Sequence, residues 1–234
     1  MSGKPTPTLK AERDLIAADA VLVAGMDEVG RGALAGPVCV GVVVIGATTG
    51  EAPVGTADSK LLTAKAREVL APRLRDWPVA WAVGYAQPGE IDELGIIAAL
   101  RLAGQRALQQ AAHTCARPID VVILDGAHDW LSRPEQGDLF DIEAPSAPRV
   151  RLMVKADQTC SSVAAASVLA KVARDALLTE LSEQHPEFGW DSNKGYASAK
   201  HIAALRCLGP TEHHRRSWNL PLTQQYRRRS VTTS

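Results

Sequence analysis

The chain has 234 residues, with 26 basic and 26 acidic side chains, 46% hydrophobic residues, 22% charged residues and four cysteines. This balance excludes a disordered, fibrous or disulfide-stapled chain and favours one large domain, or at most two small ones. The longest nearly continuous apolar run, residues 38–47, falls far short of the ~20 residues that cross a bilayer.

The N-terminus carries Lys4, Lys10, Glu12, Asp14 and Asp19 with prolines at 5 and 7, and so lacks the apolar centre of a secretory signal. A cytoplasmic protein without membrane contact is expected. The cysteines, at 39, 115, 160 and 207, form no C-x-x-C pair, so reduced, structural roles are expected. Residues 186–234 hold eight basic against three acidic side chains, and the zero total leaves the rest equally negative. An acidic centre beside a basic C-terminal flank suits a metal together with a polyanion.

In chain order, residues 1–19 read as a flexible leader. Residues 20–26 form a valine- and leucine-rich strand that runs into Asp27 and Glu28, and residues 38–47 form a second, β-branched strand. The short link between them predicts an antiparallel hairpin. Residues 63–76 read as a helix that Pro72 should end or kink. A strand over 79–86 and one long amphipathic helix over 88–112 follow. Residues 119–124 form another strand ending in an acid, Asp125, and 128–148 carry no period and read as loop. A strand over 149–155 leads to Asp157.

Residues 161–184 form the strongest helix, its alanine density implying close packing on a sheet. Residues 185–195 read as loop and 198–208 as a short helix. These elements predict a mixed α/β domain over 20–222, with an antiparallel opening hairpin, flanking helices and a C-terminal helical part. Residues 223–234, with Arg227, Arg228 and Arg229, read as a basic tail expected to be disordered.

Three segments therefore deliver acids at or just after a strand: Asp27 with Glu28, then Asp125, then Asp157. Any one alone is better explained as a turn residue or helix cap. If the strands neighbour one another, the four meet at one sheet edge, where open α/β sheets place ligands. Clustered carboxylates repel and need a cation, and hard oxygen donors select Mg²⁺ or Mn²⁺.

The stretch Gly30, Arg31, Gly32, Ala33, Leu34, Ala35 also fits the G-x-G-x-x-[G/A] dinucleotide fingerprint. That fingerprint needs a following helix, whereas Pro37 and a β-branched run follow here. A tight loop whose backbone approaches a ligand survives, beside the plainer alternative of a hairpin turn. Lys194, Gly195 and Tyr196, and the cluster from Glu212 to Ser217 with Arg215 and Arg216, suit phosphate and sugar, although such short clusters are more often solvated surface.

At this point the run from Asp27 to Val38, DEVGRGALAGPV, resembles the signature of ribonuclease HII. Further blocks are similar in the same order: Asp58, Ser59, Lys60; Glu90, Ile91, Asp92; Leu124, Asp125, Gly126; Lys155, Ala156, Asp157; AAASVLAKVARD over 164–175; Lys194, Gly195, Tyr196; and EHHRRS over 212–217. The resemblance implies an RNase H-like fold and endonucleolytic cleavage of the RNA strand of RNA–DNA hybrids, including ribonucleotides embedded in duplex DNA. It implies that Asp27, Glu28, Asp125 and Asp157 are catalytic metal ligands. Gly30, Arg31 and Gly32 would sense the ribose 2′-OH, Tyr196 would pack on the sugar at the cut junction, and Lys60, Lys194, Arg215 and Arg216 would serve as substrate contacts.

Ala33 and Ala156 depart from the family's more frequent Pro and Gly but leave the acids in place. The short run before the first strand fits ribonuclease HII better than the related ribonuclease HIII, which carries an N-terminal substrate-binding domain. Two-metal hydrolysis by water would leave 5′-phosphate and 3′-hydroxyl ends. A non-catalytic hybrid-binding module and, more weakly, a nicotinamide-dependent oxidoreductase are the rival readings. A monomer suffices, and a replication clamp or polymerase contact at the tail is left open.

Overall fold

A computed structural model describes residues 6–132 and 147–223. The expected loop over 128–148 and the basic tail lie largely outside the described residues. Five strands form one sheet: β1 (Leu22–Val29), β2 (Val38–Gly46), β3 (Ala80–Ala86), β4 (Val121–Asp125) and β5 (Arg149–Met153), in the order β3-β2-β1-β4-β5. The first three are antiparallel neighbours, and β4 and β5 add in parallel beside β1. The opening hairpin of the sequence reading is thus present, with Asp27 opposite Gly41.

Eight helices accompany the described sheet: α1 (Lys10–Ala18), α2 (Ala64–Asp76), α3 (Pro88–Leu94), α4 (Ile96–Cys115), α5 (Ala156–Thr159), α6 (Ser161–Gln184), α7 (Trp190–Asn193) and α8 (Ala199–Leu208). Period-two alternation sorts the core into two layers. Leu22, Ala24, Met26, Val122 and Leu124 pack under the alanine-rich face of α4, while Val43 and Ile45 pack with Val168 and Leu169 of α6 and Leu74 of α2. Small residues let α6 lie close: a Cβ at Gly25 would strike Ser162, and one at Gly41 the carbonyl of Ala166. Among the described residues no helix is long and apolar enough to cross a membrane.

Three expectations change. The supposed flexible leader contains α1, and Leu9 and Glu12 of this segment are fully buried. Glu12 Oε1 accepts from both the backbone N–H (2.8 Å) and the hydroxyl (2.6 Å) of Ser162, so α1 caps the start of α6 from outside. The long helix over 88–112 is two helices. Gly95, at φ 77° and ψ 161°, adopts a backbone that side-chain-bearing residues avoid, and it turns the chain between α3 and α4. The loop over 185–195 contains a 3-10 turn at Pro186–Phe188 as well as α7, and Phe188 and Trp190 form a small core with Leu178 and Leu205. Pro72, by contrast, does not end α2, because both it and Glu68, whose carbonyl its missing N–H leaves unbonded, are exposed.

Candidate active site

The acids sit where the strand order predicts. Met26 of β1 pairs with Leu124 of β4, so the next residues, Asp27 and Asp125, stand side by side on neighbouring strands while still paired to Gly41 and Met153 on their other flanks. Alternation puts both on the α6 face. Asp125 Oδ1 accepts from the N–H of Ala156 at 2.7 Å, which ties the start of α5 to the end of β4 and brings Asp157 to the same edge. Glu28 follows Asp27 on the opposite face and meets Arg31 at 3.5 Å.

The electrostatics show that the four act on one another. Burial, together with the nearby charges of Glu28 and Asp125, pushes Asp27 up to about 7, against the Ser167 hydroxyl, which favours its ionised form. Burial first, then Asp125 and Asp58, raises Asp157 to about 6, and Glu28 is raised by burial and Asp125. Lys60 reaches into this negative field: its Nζ lies 3.6 Å from Asp157 Oδ2, and Asp27, Asp58, Asp157 and Asp125 all raise its pKa against the opposing effect of burial.

Among the described residues no three acidic, histidine or cysteine side chains stand in a ready-made metal cage. Arg31 and Lys60 instead occupy two of the carboxylates, while Asp125 and Asp27 accept backbone N–H groups. The donor set still fits a divalent cation. It consists of hard oxygens alone, and burial, with the neighbouring carboxylates adding to it, raises the proton affinities of Asp27, Glu28 and Asp157, which is the condition a Mg²⁺- or Mn²⁺-sized charge relieves.

The glycine loop lies beside the acids. Gly30 has φ 84°, and a Cβ there would run into Arg174 Nε. Arg31 and Gly32 are exposed. Tyr196 is 40% exposed, and a Cβ on Gly32 would come within 4.0 Å of its ring, so ring and loop form one surface. Leu34 N–H donates to the carbonyl of Gly195 at 2.8 Å, holding the two segments together.

Two expected substrate contacts are placed otherwise. Arg215 is fully buried and donates to the carbonyls of Gly30, Arg31 and Gly36, so it supports the loop from beneath and does not meet solvent. Lys194 turns its Nζ to Thr179 Oγ1 at 2.9 Å on α6. Arg216 is exposed, its backbone N–H held by Asp92 Oδ2 at 2.9 Å.

Sequence reasoning assigned no role to Arg174, Asp92, Ser59 or Ser167. Arg174 is buried and donates to Pro37, Ala35 and Lys194. Asp92 also accepts from Ser217, and Ser59 Oγ lies 2.8 Å from Ser167 Oγ behind Asp27. All four fall inside blocks of the resemblance, but nothing in hydropathy or spacing separates them from their neighbours. A groove of about 420 Å³ between α2 and α6, lined by Arg67, Asp175 and Lys194 among others, lies elsewhere. The acids lie outside it, Asp27 and Asp157 buried and Glu28 and Asp125 partly exposed.

Comparison with known proteins agrees with this geometry. The family profile for ribonuclease HII matches residues 24–220. Ribonuclease HII from Streptomyces avermitilis is 49% identical over 213 residues, which is 91% of this chain and 83% of that protein, and the Streptomyces coelicolor enzyme is 50% identical over the same length and coverage. Ribonuclease H2 from Pyrococcus horikoshii superposes with a TM-score of 0.64 at 25% identity, covering 91% of this chain and all of that one. A PCNA:RNase HII complex from Archaeoglobus fulgidus shares the fold, with a TM-score of 0.63 at 23% identity over 85% of this chain and 96% of that one. With its acids on one strand edge beside a buried-arginine loop, and with these relatives over nearly its whole length, the chain belongs to the ribonuclease HII family, endoribonucleases that hydrolyse RNA in RNA–DNA hybrids.

Proposed function

We propose that the protein cuts the RNA strand of hybrids and the 5′ side of ribonucleotides embedded in duplex DNA, using Mg²⁺ or Mn²⁺ and leaving 5′-phosphate and 3′-hydroxyl ends. The observation that carries this reading is the convergence of Asp27, Asp125 and Asp157, with Glu28, at one end of the sheet beside the Gly30–Gly32 loop and Tyr196. Asp27, Glu28, Asp125 and Asp157 are the residues that would hold the metal, which when bound supplies Lewis-acid activation of water and charge neutralisation at the phosphate.

The chain's own groups do the rest. The Ser167 hydroxyl favours the ionised form of Asp27, and Ala156 N–H orients the Asp125 carboxylate. Arg31 and Lys60 face Glu28 and Asp157 and can be drawn from them toward substrate phosphate once the acids find another cation. Tyr196 offers a half-open aromatic face to a sugar, and the loop backbone at Arg31 and Gly32 meets the 2′-OH that separates RNA from DNA. All these residues come from one chain, which supports action as a monomer. The PCNA complex of the Archaeoglobus fulgidus protein supports extending the proposal to a replication-clamp contact.

The test is cleavage of a DNA duplex carrying one ribonucleotide, with Mg²⁺, Mn²⁺ or EDTA, beside an all-DNA control and the Asp27→Asn variant. A metal-dependent cut 5′ of the ribonucleotide, lost in the variant, is expected. Good binding without any cut of this duplex or of a long hybrid would leave the non-catalytic reading, and a 2′,3′-cyclic phosphate end would overturn attack by water.

A further inference from the structure

Beneath the glycine loop lie two arginines that the metal site does not use. Arg174 and Arg215 are both fully buried, and among the described residues neither stands within ion-pair distance of a carboxylate. A buried charge without a counter-ion is costly. Here carbonyl dipoles stand in for the counter-ion. Arg215 donates to Gly30 (2.6 Å), Arg31 (2.8 Å) and Gly36 (3.1 and 3.2 Å). Arg174 donates to Lys194 (2.8 Å), Pro37 (2.9 Å) and Ala35 (3.0 Å), and its guanidinium carbon lies 5.7 Å from the centre of the Tyr196 ring.

The geometry has a consequence for the groups that face outward. The described chain has no cis peptide, and in a trans peptide the carbonyl of one residue and the N–H of the next point in opposite directions. With the carbonyls of Gly30 and Arg31 drawn inward by Arg215, the N–H groups of Arg31 and Gly32 are turned outward. Both residues are exposed, and neither N–H donates to another described residue. Two adjacent, unspent donors thus face solvent with two desolvated positive charges behind them, an arrangement that attracts an acceptor oxygen.

We propose that Arg174 and Arg215 are positioning residues for ribose recognition. By holding seven loop and Lys194 carbonyl contacts between them, they aim the Arg31 and Gly32 amides at the substrate's 2′-oxygen and fix Tyr196 beside it. This rests on the reading that the loop meets the ribose. Shape matters as much as charge: a lysine keeps the cation but cannot fork to several carbonyls at fixed angles.

The experiment compares the wild-type protein with Arg215→Lys, Arg215→Met and Arg174→Lys. It measures kcat and KM on the single-ribonucleotide duplex, Kd for the all-DNA duplex of the same sequence in Mg²⁺, and the thermal midpoint. In the arginine-to-lysine variants kcat/KM is expected to fall at least about tenfold, while Kd for all-DNA changes less than about twofold. The all-DNA duplex keeps every phosphate and lacks only the 2′-oxygen. If the midpoint drops but kcat/KM holds, the arginines are merely structural and the proposal fails. It fails equally if both substrates weaken in parallel, since that would assign the pair to phosphate. Should Arg215→Lys not fold, Arg174→Lys, which alters only part of the network, decides on the same criteria. If the wild type cuts neither substrate class, the function itself is wrong and the proposal falls with it. Normal wild-type cutting with unaltered variants overturns this inference alone.

Discussion

Arg215 and Arg216 are neighbours in the chain with opposite environments, one fully buried under the loop and the other exposed. Counterion release gives a slope of about −0.9 in log K against log salt for each phosphate neutralised. Arg216→Ala is therefore expected to make the salt dependence of duplex binding shallower by about one, while Arg215→Lys leaves it unchanged, as measured by anisotropy titrations from 50 to 200 mM salt. Equal slopes for Arg216→Ala and wild type would remove Arg216 from the substrate surface. The same pair shows what one sequence can disclose at this scale. Asp27, Asp125 and Asp157 were legible because strand ends converge by topology. Arg215 and Lys194 were not, because a basic residue in a polar run reads as solvent-facing until the packing of distant carbonyls is known.

At the scale of elements, two joints carry specific costs. Glu12 on α1 caps α6 through Ser162; among the described residues its second oxygen has no hydrogen-bond partner, and burial raises its pKa. Replacing it by alanine strands the Ser162 N–H and is expected to destabilise the protein by about 1–3 kcal/mol in urea unfolding. Glu12→Gln keeps an acceptor oxygen without the buried charge and should cost less than half as much. Equal losses for both would mean that packing, not the cap, holds α1. The second joint is Gly95, whose backbone favours glycine, so Gly95→Ala is expected to cost about 1–3 kcal/mol although open space surrounds the site. Both joints escaped the sequence reading. Nine residues with an ordinary charge mix look like a leader, and a glycine between two helical patterns of the same phase looks like one tolerated in a helix. Strands β2 to β4 and helix α6 were read nearly to their ends, because each buries a face long enough to impose its period, whereas β1, read to residue 26, continues through Asp27 and Glu28 to Val29, since its paired acids do not look like strand residues.

For the whole molecule, burying the acid cluster costs stability, and the cost has a definite sign. Asp27, raised from 3.8 to about 7, holds its proton in the fold over a range where the unfolded chain has released it. Its contribution is fully present below pH 3.8 and is lost as pH rises through about 7. His214, pushed by burial down to about 3 from 6.5, works in the opposite sense: its contribution is present above pH 6.5 and is lost as pH falls toward 3. The two windows overlap, so the raw pH–stability curve of the metal-free protein blends them. A difference curve separates them. Asp27→Asn should match the wild type near pH 4 and become the more stable protein above pH 7, by about 4 kcal/mol at the upper limit, as read from urea midpoints in EDTA. Excess Mg²⁺ should then reverse the order, stabilising the wild type by mass action and leaving the variant nearly unmoved. Binding at pH 6.5 should also release protons, because the metal displaces those held by Asp27 and its neighbours. A flat difference curve, with no proton release, would mean that Asp27 is already ionised and solvated in the fold, and that the four carboxylates do not share one site.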